Sequence, residues 1–541
     1  MSLSSWLQGS GFVVLPNTAT FAGIVGIIFL LIIWSRTPTH LGNLPPGPKP
    51  VYALGNIRDL TSKELWLRAR DWARQYGSVC YLHILGQGLV FLNTPEAAVD
   101  LMDKRGTIYS DKPQLVMVGE LCGCKDMVAF VPYGDQSKRQ RKLMQQALGP
   151  SSIREYRPLI EAETISFMRR LLDDPIDYIN LTRRYAGGLT LFVIYGHEVK
   201  SNDDTFLTMA EKCIWLLSNR IASSGGIWPV DIFPFLKYIP TWVPGMAFKR
   251  NAIQWKAEME EFVDKPYNFV RSNIKAGTAL SSFCKTLLDG DREIKDQELF
   301  DIKWTANSMY AASIETSITL VAHFILAMIS HPEVVAKAQK EIDTIIGNER
   351  LPNFSDRTSL PYIENIMSEC LRWAAPVPLG LPHRLMEDDV YENMFIPKGS
   401  LIIANIWTIL RNEALYPNPD VFYPDRFMEK VDQQTERRRD PRNYVFGFGR
   451  RYISNLNAHS YASEIYNMIT RHCPGSHLIE SSMWLLMVTM LATFDMSKSI
   501  DEYGHTIDPD VQFNDSVFRI PSAFKCSLMP RSEQMVRLIR Q

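Results

Sequence analysis

Cys473 is followed by Pro474 and Gly475, and well upstream of it stands the glycine-rich run Phe446, Gly447, Phe448, Gly449, Arg450, Arg451. A thiolate can hold a haem iron when it sits in a tight glycine-rich turn, where backbone N–H groups face the sulfur and a porphyrin can approach closely. Here the two pieces are separated by 21 residues, Tyr452 to His472. With one residue between Arg451 and Cys473 the string closes to FGFGRRHCPG. Taken alone, Cys473 reads as a buried free cysteine after a glycine-rich loop.

Five further segments carry groups with chemical potential. In AASIETS, Ala311 to Ser317, an acid and an alcohol, Glu315 and Thr316, adjoin among small residues that let a flat molecule come close. In ECLR, Glu369 and Arg372 lie three apart and share one helix face; such a pair on a surface contributes only about 0.2–0.5 kcal/mol. Pro424-Asp425-Arg426-Phe427 follows downstream. Arg141 lies in YGDQSKRQRKLMQQAL and Arg384 in LPHRLMEDD. Each arginine alone is an ordinary surface residue, and it is their joint order along the chain that is specific.

Together these motifs resemble those of the haem-thiolate monooxygenases, the cytochrome P-450 superfamily, in its membrane-anchored eukaryotic form and with the flavour of fungal secondary-metabolite or xenobiotic members. The likeness spans the chain from the N-terminal apolar run to about Arg531. It implies haem b with Cys473 as the axial thiolate on iron, and Phe446, Gly449, Arg451 and Gly475 around it. Arg141 and Arg384, with Arg451, match propionate-contacting positions. Ser137 stands where many members carry tryptophan, and Ser313 where glycine is commoner. Glu315 and Thr316 fill the roles that relay protons to bound oxygen, so that one oxygen atom of O2 enters a hydrophobic substrate and the other leaves as water. Glu369, Arg372 and Arg426 form a buried ion network, since a lone buried arginine is very costly. No glycine-rich nucleotide loop supplies electrons. The resemblance therefore implies an NADPH-cytochrome P-450 reductase docking near Cys473, with cytochrome b5 as a second donor. Sterol, fatty acid, terpenoid, polyketide and foreign aromatic substrates all fit the apolar run KPQLVMVGELCG, in a region that lines the pocket in relatives. A haem-thiolate isomerase or dehydratase, and a chain left inactive by the interruption before Cys473, are the alternatives.

The elements that must position these groups are mostly helical. Helical spacing marks Leu65–Tyr76, Ser137–Leu148, Tyr156–Leu172, Ala252–Lys275, Asp301–Ile329, Pro332–Ile346, Pro361–Trp373 and Leu478–Leu491, several with proline near the start. Strand-like runs are short: VCYLHIL, GLVFLN, NMFIPKGSLIIAN and FRIPSAFKCSLMPR. A mainly α body with small peripheral β-sheets follows, a cytochrome P-450 fold by resemblance.

Composition agrees with a large globular chain: 541 residues, 46% hydrophobic, 22% charged. A net charge of -1 and the absence of a basic block give no reason to expect nucleic acid. Eight scattered cysteines do not read as a secreted disulfide framework, and Cys122-Gly-Cys124 lacks zinc-site spacing.

No charged side chain precedes Arg36, and Asn17 to Ser35 is largely apolar; as a helix this run spans roughly 28 Å, about a bilayer core. Residues 1–35 thus read as a single-pass membrane anchor, and the resemblance places it in the endoplasmic reticulum with the catalytic body facing the cytosol. A cleaved signal peptide would need a basic n-region and a small-residue cleavage site, and neither is present. Residues 36–50 hold the stiff LPPGPKP hinge, and residues 51–541 form the catalytic domain. Val230 to Gly245, rich in aromatics and proline, can dip into a membrane surface.

The interruption is 20 residues, Tyr452 to Arg471, nine of them Tyr, Ile or Asn, with no Gly or Pro. A ligand turn that packs on a cofactor tolerates insertion poorly. Codon choices for Arg451-Tyr452 and for Arg471 permit GT and AG splice signals. The stretch therefore reads as a translated intron rather than a genuine loop.

Overall fold

The computed structural model describes residues 42–52, 54–60, 63–222, 228–290, 293–449, 473–513 and 516–541. The anchor at 1–35, Arg451 and the stretch 452–471 lie outside the described residues. The longer helices are α1 (Leu65–Tyr76), α2 (Asp135–Leu148), α3 (Pro150–Asp173), α4 (Tyr178–Tyr195), α5 (Thr205–Leu216), α6 (Ala247–Ala276), α7 (Asp296–Ser330), α8 (Pro332–Ile345), α9 (Pro361–Ala374), α10 (Ser476–Thr493) and α11 (Glu533–Arg540). Helices α3, α8 and α9 each begin on a proline, where the missing N–H costs nothing.

Helix α7 organises the body. It packs against α2, α4, α6, α9 and α10, and most of its residues are buried. Among the described residues it is the one helix long and apolar enough to cross a membrane, but its apolar surface is spent on the protein interior. Buried Phe, Leu, Ile and Met side chains from these helices form the largest core.

The strands are peripheral. β1 (Val79–Ile84), β2 (Gln87–Leu92), β3 (His383–Arg384) and β6 (Leu401–Ala404) make one sheet in the order β1-β2-β6-β3. β1 and β2 form an antiparallel hairpin in the register Val79 opposite Leu92, and β6 joins β2 in parallel. β4 (Asp389–Tyr391) pairs with β5 (Met394–Ile396), and β7 (Phe494–Lys498) with β8 (Cys526–Pro530). The part of the proline-rich hinge that is described, from residue 42, has no regular structure. Pro46 O accepts the Tyr81 N–H at 3.0 Å, and a Cβ on Gly47 would overlap the Tyr81 carbonyl. Glycine is required there by close approach of two backbones.

Candidate functional site

Cys473 stands three residues before α10, and its own N–H donates to Phe446 O at 2.8 Å. That bond brings the glycine-rich run and the cysteine together across the residues between them. Gly447 and Gly449 have φ of 85° and 151°, which side chains other than glycine rarely adopt. The Gly449 N–H donates to Asp103 Oδ1 at 2.6 Å. Of the eight cysteines only Cys473 is exposed.

The sulfur's surroundings oppose one another. Burial pushes the thiol pKa up, while the Gly475 N–H, the Arg141 guanidinium and the Ser476 N–H pull it back. The two N–H groups are at the start of α10, whose positive end favours an anion. Cys80, Cys122, Cys124 and Cys284 have no such donors, and burial pushes each thiol well up from its ordinary value. A Cβ on Gly475 would sit 3.8 Å from the sulfur, an ordinary contact. Gly475 therefore acts on the sulfur through its N–H rather than by making room. This donor set suits an anionic sulfur bound to a metal centre, and so fits a haem thiolate.

Arg141 lies on α2, which packs on α7; burial lowers its pKa and the charge on Cys473 raises it. Arg384 is tied down: its Nη2 is 2.8 Å and its Nε 2.9 Å from Asp111 Oδ2, and its N–H donates to Asp111 O. Buried Lys112 donates to Leu381 O and Pro382 O at 3.3 Å. Asp103, Asp111 and Lys112 were not singled out from sequence, because their partners lie hundreds of residues away. Ser137, in the place of a tryptophan, donates to Gly134 O at 2.8 Å and serves to start α2.

In the middle of α7, Ala312 is exposed beside half-buried Ser313, Glu315 and Thr316, and the Thr316 hydroxyl, one turn on, donates to Ala312 O at 3.0 Å. The Ser313 hydroxyl folds back to Tyr310 O at 2.9 Å, so it does not fill the groove. Glu315 takes another direction. Its neighbour Thr316 is turned by about 100° around the helix, and Glu315 lines a cavity of about 450 Å³ with Arg183, Glu211, Trp215 and Ile520, a lining that excludes Thr316. Burial raises the Glu315 carboxyl pKa, Arg183 lowers it and Glu211 raises it.

The Glu369, Arg372 and Arg426 side chains meet as one network. Arg372 Nη2 and Nε reach the two Glu369 oxygens at 2.7 and 2.8 Å, and Arg426 Nε lies 3.2 Å from both. Arg372 also donates to Leu410 O and Pro419 O, and Arg426 to Pro417 O and Val421 O. Tyr423 N–H completes the Glu369 shell at 2.8 Å. The network fastens α9 to the 417–426 loop that leads toward Phe446.

The fold is that of the haem-thiolate class. The chain belongs to the cytochrome P-450 family, whose model, described as Cytochrome P-450, matches residues 45–452. It is similar to the cytochrome P-450 monooxygenase claT of Ampulloclitocybe clavipes, 39% identical over 521 residues covering 95% of this chain and 97% of that one. The monooxygenase claR of the same fungus is 36% identical, covering 97% and 94%, and the cytochrome P-450 monooxygenase 176 of Postia placenta is 35% identical, covering 97% and 98%. The chain is accordingly a monooxygenase, an oxidoreductase whose cofactor is haem b held by a cysteine thiolate, served by a redox partner and acting on a small molecule. The family match stops at Tyr452, the first residue of the interruption.

Proposed function

We propose that Cys473 is the axial ligand of the haem, and that the chain inserts one oxygen atom into a hydrophobic small molecule with electrons from an NADPH-dependent reductase. The observation that carries this reading is the donor set on Cys473: two backbone N–H groups and the Arg141 guanidinium on the one exposed cysteine. When bound, the haem supplies activation of O2 assisted by electron density from the thiolate. Phe446, Gly449 and Gly475 frame the ligand turn, and Arg141, Arg384 and Arg451 serve the propionates. Arg384 is aimed for this by Asp111. Thr316 and Glu315 move protons, Glu315 drawing on water in the cavity beside Arg183.

Three further elements of the reading rest on other features. Residues 1–35 anchor the body, which begins near Val51, in the endoplasmic reticulum membrane on the cytosolic side. Tyr238 and Trp242, each 79% exposed, support contact of the 230–245 segment with that membrane. Likeness to fungal monooxygenases supports a role in secondary metabolism, and cytochrome b5 is a second electron donor.

Residues 452–471 are foreign to the working enzyme. The expected result is that the reduced, carbon monoxide-treated chain lacking 452–471 shows the red-shifted Soret band of a thiolate-ligated haem and the 541-residue chain does not. The same band in both would establish a tolerated loop, and peptides from 452–471 in native protein would sink the intron reading.

Glu315→Gln is expected to lower product formation by roughly a hundredfold, the lower range for loss of a general acid, because water replaces part of the relay. Since the Glu315 pKa is raised, the carboxyl keeps its proton to higher pH than an ordinary glutamate. Product formation should therefore fall as pH rises through that raised value in the parent and stay level in the variant. A parent-like rate and profile in Glu315→Gln would remove the residue from the relay.

A further inference from the structure

The short segment Val116–Leu121 and the segment around Asp231 are far apart in sequence, yet one carboxylate joins them. Asp231 Oδ1 accepts the Met117 N–H at 2.8 Å and Oδ2 accepts the Trp228 N–H at 3.1 Å. The Val116 N–H is a third donor to the same carboxylate. Val116, Met117 and Val118 are buried, and their backbone departs from the α pattern into a wider turn, which leaves N–H groups for an outside acceptor. A second link runs alongside, Lys237 Nζ to Glu120 Oε2 at 2.6 Å. Trp228 anchors the other side, donating from Nε1 to Ile221 O at 2.9 Å and packing by its ring on Phe248 and Trp255.

We propose that Asp231 is a positioning residue that ties the 116–121 wall to the 228–238 segment and thereby controls admission of substrate to the pocket. The admission half rests on the reading that 112–123 lines that pocket; the tie itself does not. The loop donors are backbone groups, so the tie depends on the carboxylate and tolerates change in the side chains of 116 and 117. Charged and titratable neighbours are few. Cys122, Glu120 and Lys125 come from the wall segment, Lys237 from its own side, and Lys249, Lys256 and Glu260 from α6. Glu120 is already paired with Lys237 and Lys256 with Glu260, and burial pushes the Cys122 thiol to about 12, leaving it neutral.

The sign of the pH dependence is fixed by burial. In the closed arrangement burial pushes the Asp231 carboxyl up to about 6, whereas an open segment would return it toward about 3.9. The closed form binds the proton more tightly. Closure is therefore strongest below the lower value, weakens as pH rises between the two, and is weakest once both forms are ionised. At neutral pH the tie holds but is poised to open.

The test is amide hydrogen exchange on the haem-loaded chain lacking 452–471, read on peptides covering 116–121 and corrected for intrinsic exchange. Protection is expected to fall about tenfold between pH 5 and pH 7. Asp231→Ala should lose the protection at both pH values. Asp231→Asn, which keeps an oxygen for Met117, should retain it without the pH step, and Glu120→Gln should retain both. Level protection in the parent, or parent-like protection in Asp231→Ala, overturns the tie. The association rate of 1-phenylimidazole, followed by its Soret shift, tests admission: it should rise several-fold in Asp231→Ala at pH 6. Lost protection with an unchanged rate would overturn the control of admission. Absence of any Soret response in the parent would count against the Cys473 reading, and exchange would still decide on Asp231.

Discussion

Cys473→Ser is expected to abolish the red-shifted carbon monoxide band altogether and to take product formation below detection, while Cys284→Ser and Cys526→Ser leave both intact. The physical reason lies in the ligand's charge. A thiol whose anion is held by the Gly475 and Ser476 N–H groups and by Arg141 can be deprotonated by the metal it binds. A serine hydroxyl in the same place stays neutral, and the donors then face an oxygen with little charge to stabilise. The other cysteines lack the arrangement: Cys284 is buried, with its thiol pushed well up by desolvation alone. The comparison is best made in the form lacking 452–471, with far-ultraviolet circular dichroism to show that the helices persist. A surviving band in Cys473→Ser would mean that another cysteine ligates the iron. The serine variant should still collect some haem through the pocket and propionate contacts, giving a band without the thiolate shift; that outcome separates loss of ligand from loss of pocket.

What the chain reveals before folding depends on whether a group's partner is close in sequence. Helix α1 was legible to both ends, Leu65 and Tyr76, because its apolar stripe is one-sided and Gly77 ends it. The prolines at 332 and 361 fixed two more starts. Helix α4 was missed: it is apolar on nearly all sides, so no 3.6-residue contrast shows in Tyr178–Tyr195. Helix α5 went unread, as did strand β7, which follows α10 without a break. The last strand-like run yielded only Cys526–Pro530 as strand, since Pro521 and its surroundings do not extend the ladder. At the site, the motifs gave the residue types and their order. They could not give direction: that Glu315 opens on the Arg183 cavity rather than the Thr316 side depends on how α4 and α5 pack on α7. Nor could they give Asp111 as the partner of Arg384, a contact 273 residues apart.

The ion network offers the second large effect. Glu369→Gln is expected to destabilise the fold by about 3–5 kcal/mol, the range for breaking a buried ion pair by removing one partner. The two guanidiniums that remain, on side chains 0% and 3% exposed, keep their carbonyl acceptors but lose the only carboxylate among the contacts described above. A loss of that size is a large share of the roughly 5–15 kcal/mol by which ordinary domains are stable. Its route to function is the 417–426 loop. With Glu369 neutral, Arg426 no longer holds that loop to α9, and the backbone from Pro424 to Phe446 loses the anchor that sets the height of the ligand turn. The variant should therefore show a lower denaturation midpoint and poor haem incorporation together. A surface control separates burial from mere pairing: Glu533→Gln breaks an exposed pair with Arg537 and is expected to cost less than about 0.5 kcal/mol. Arg426→Lys tests geometry at constant charge. Lysine cannot present a planar fork to Glu369 and to Pro417 O and Val421 O at once, so haem incorporation should fall in that variant as well. If both network variants loaded haem like the parent, the network would be storing stability without aligning the ligand turn, and the two roles would have to be assigned to different parts of the loop.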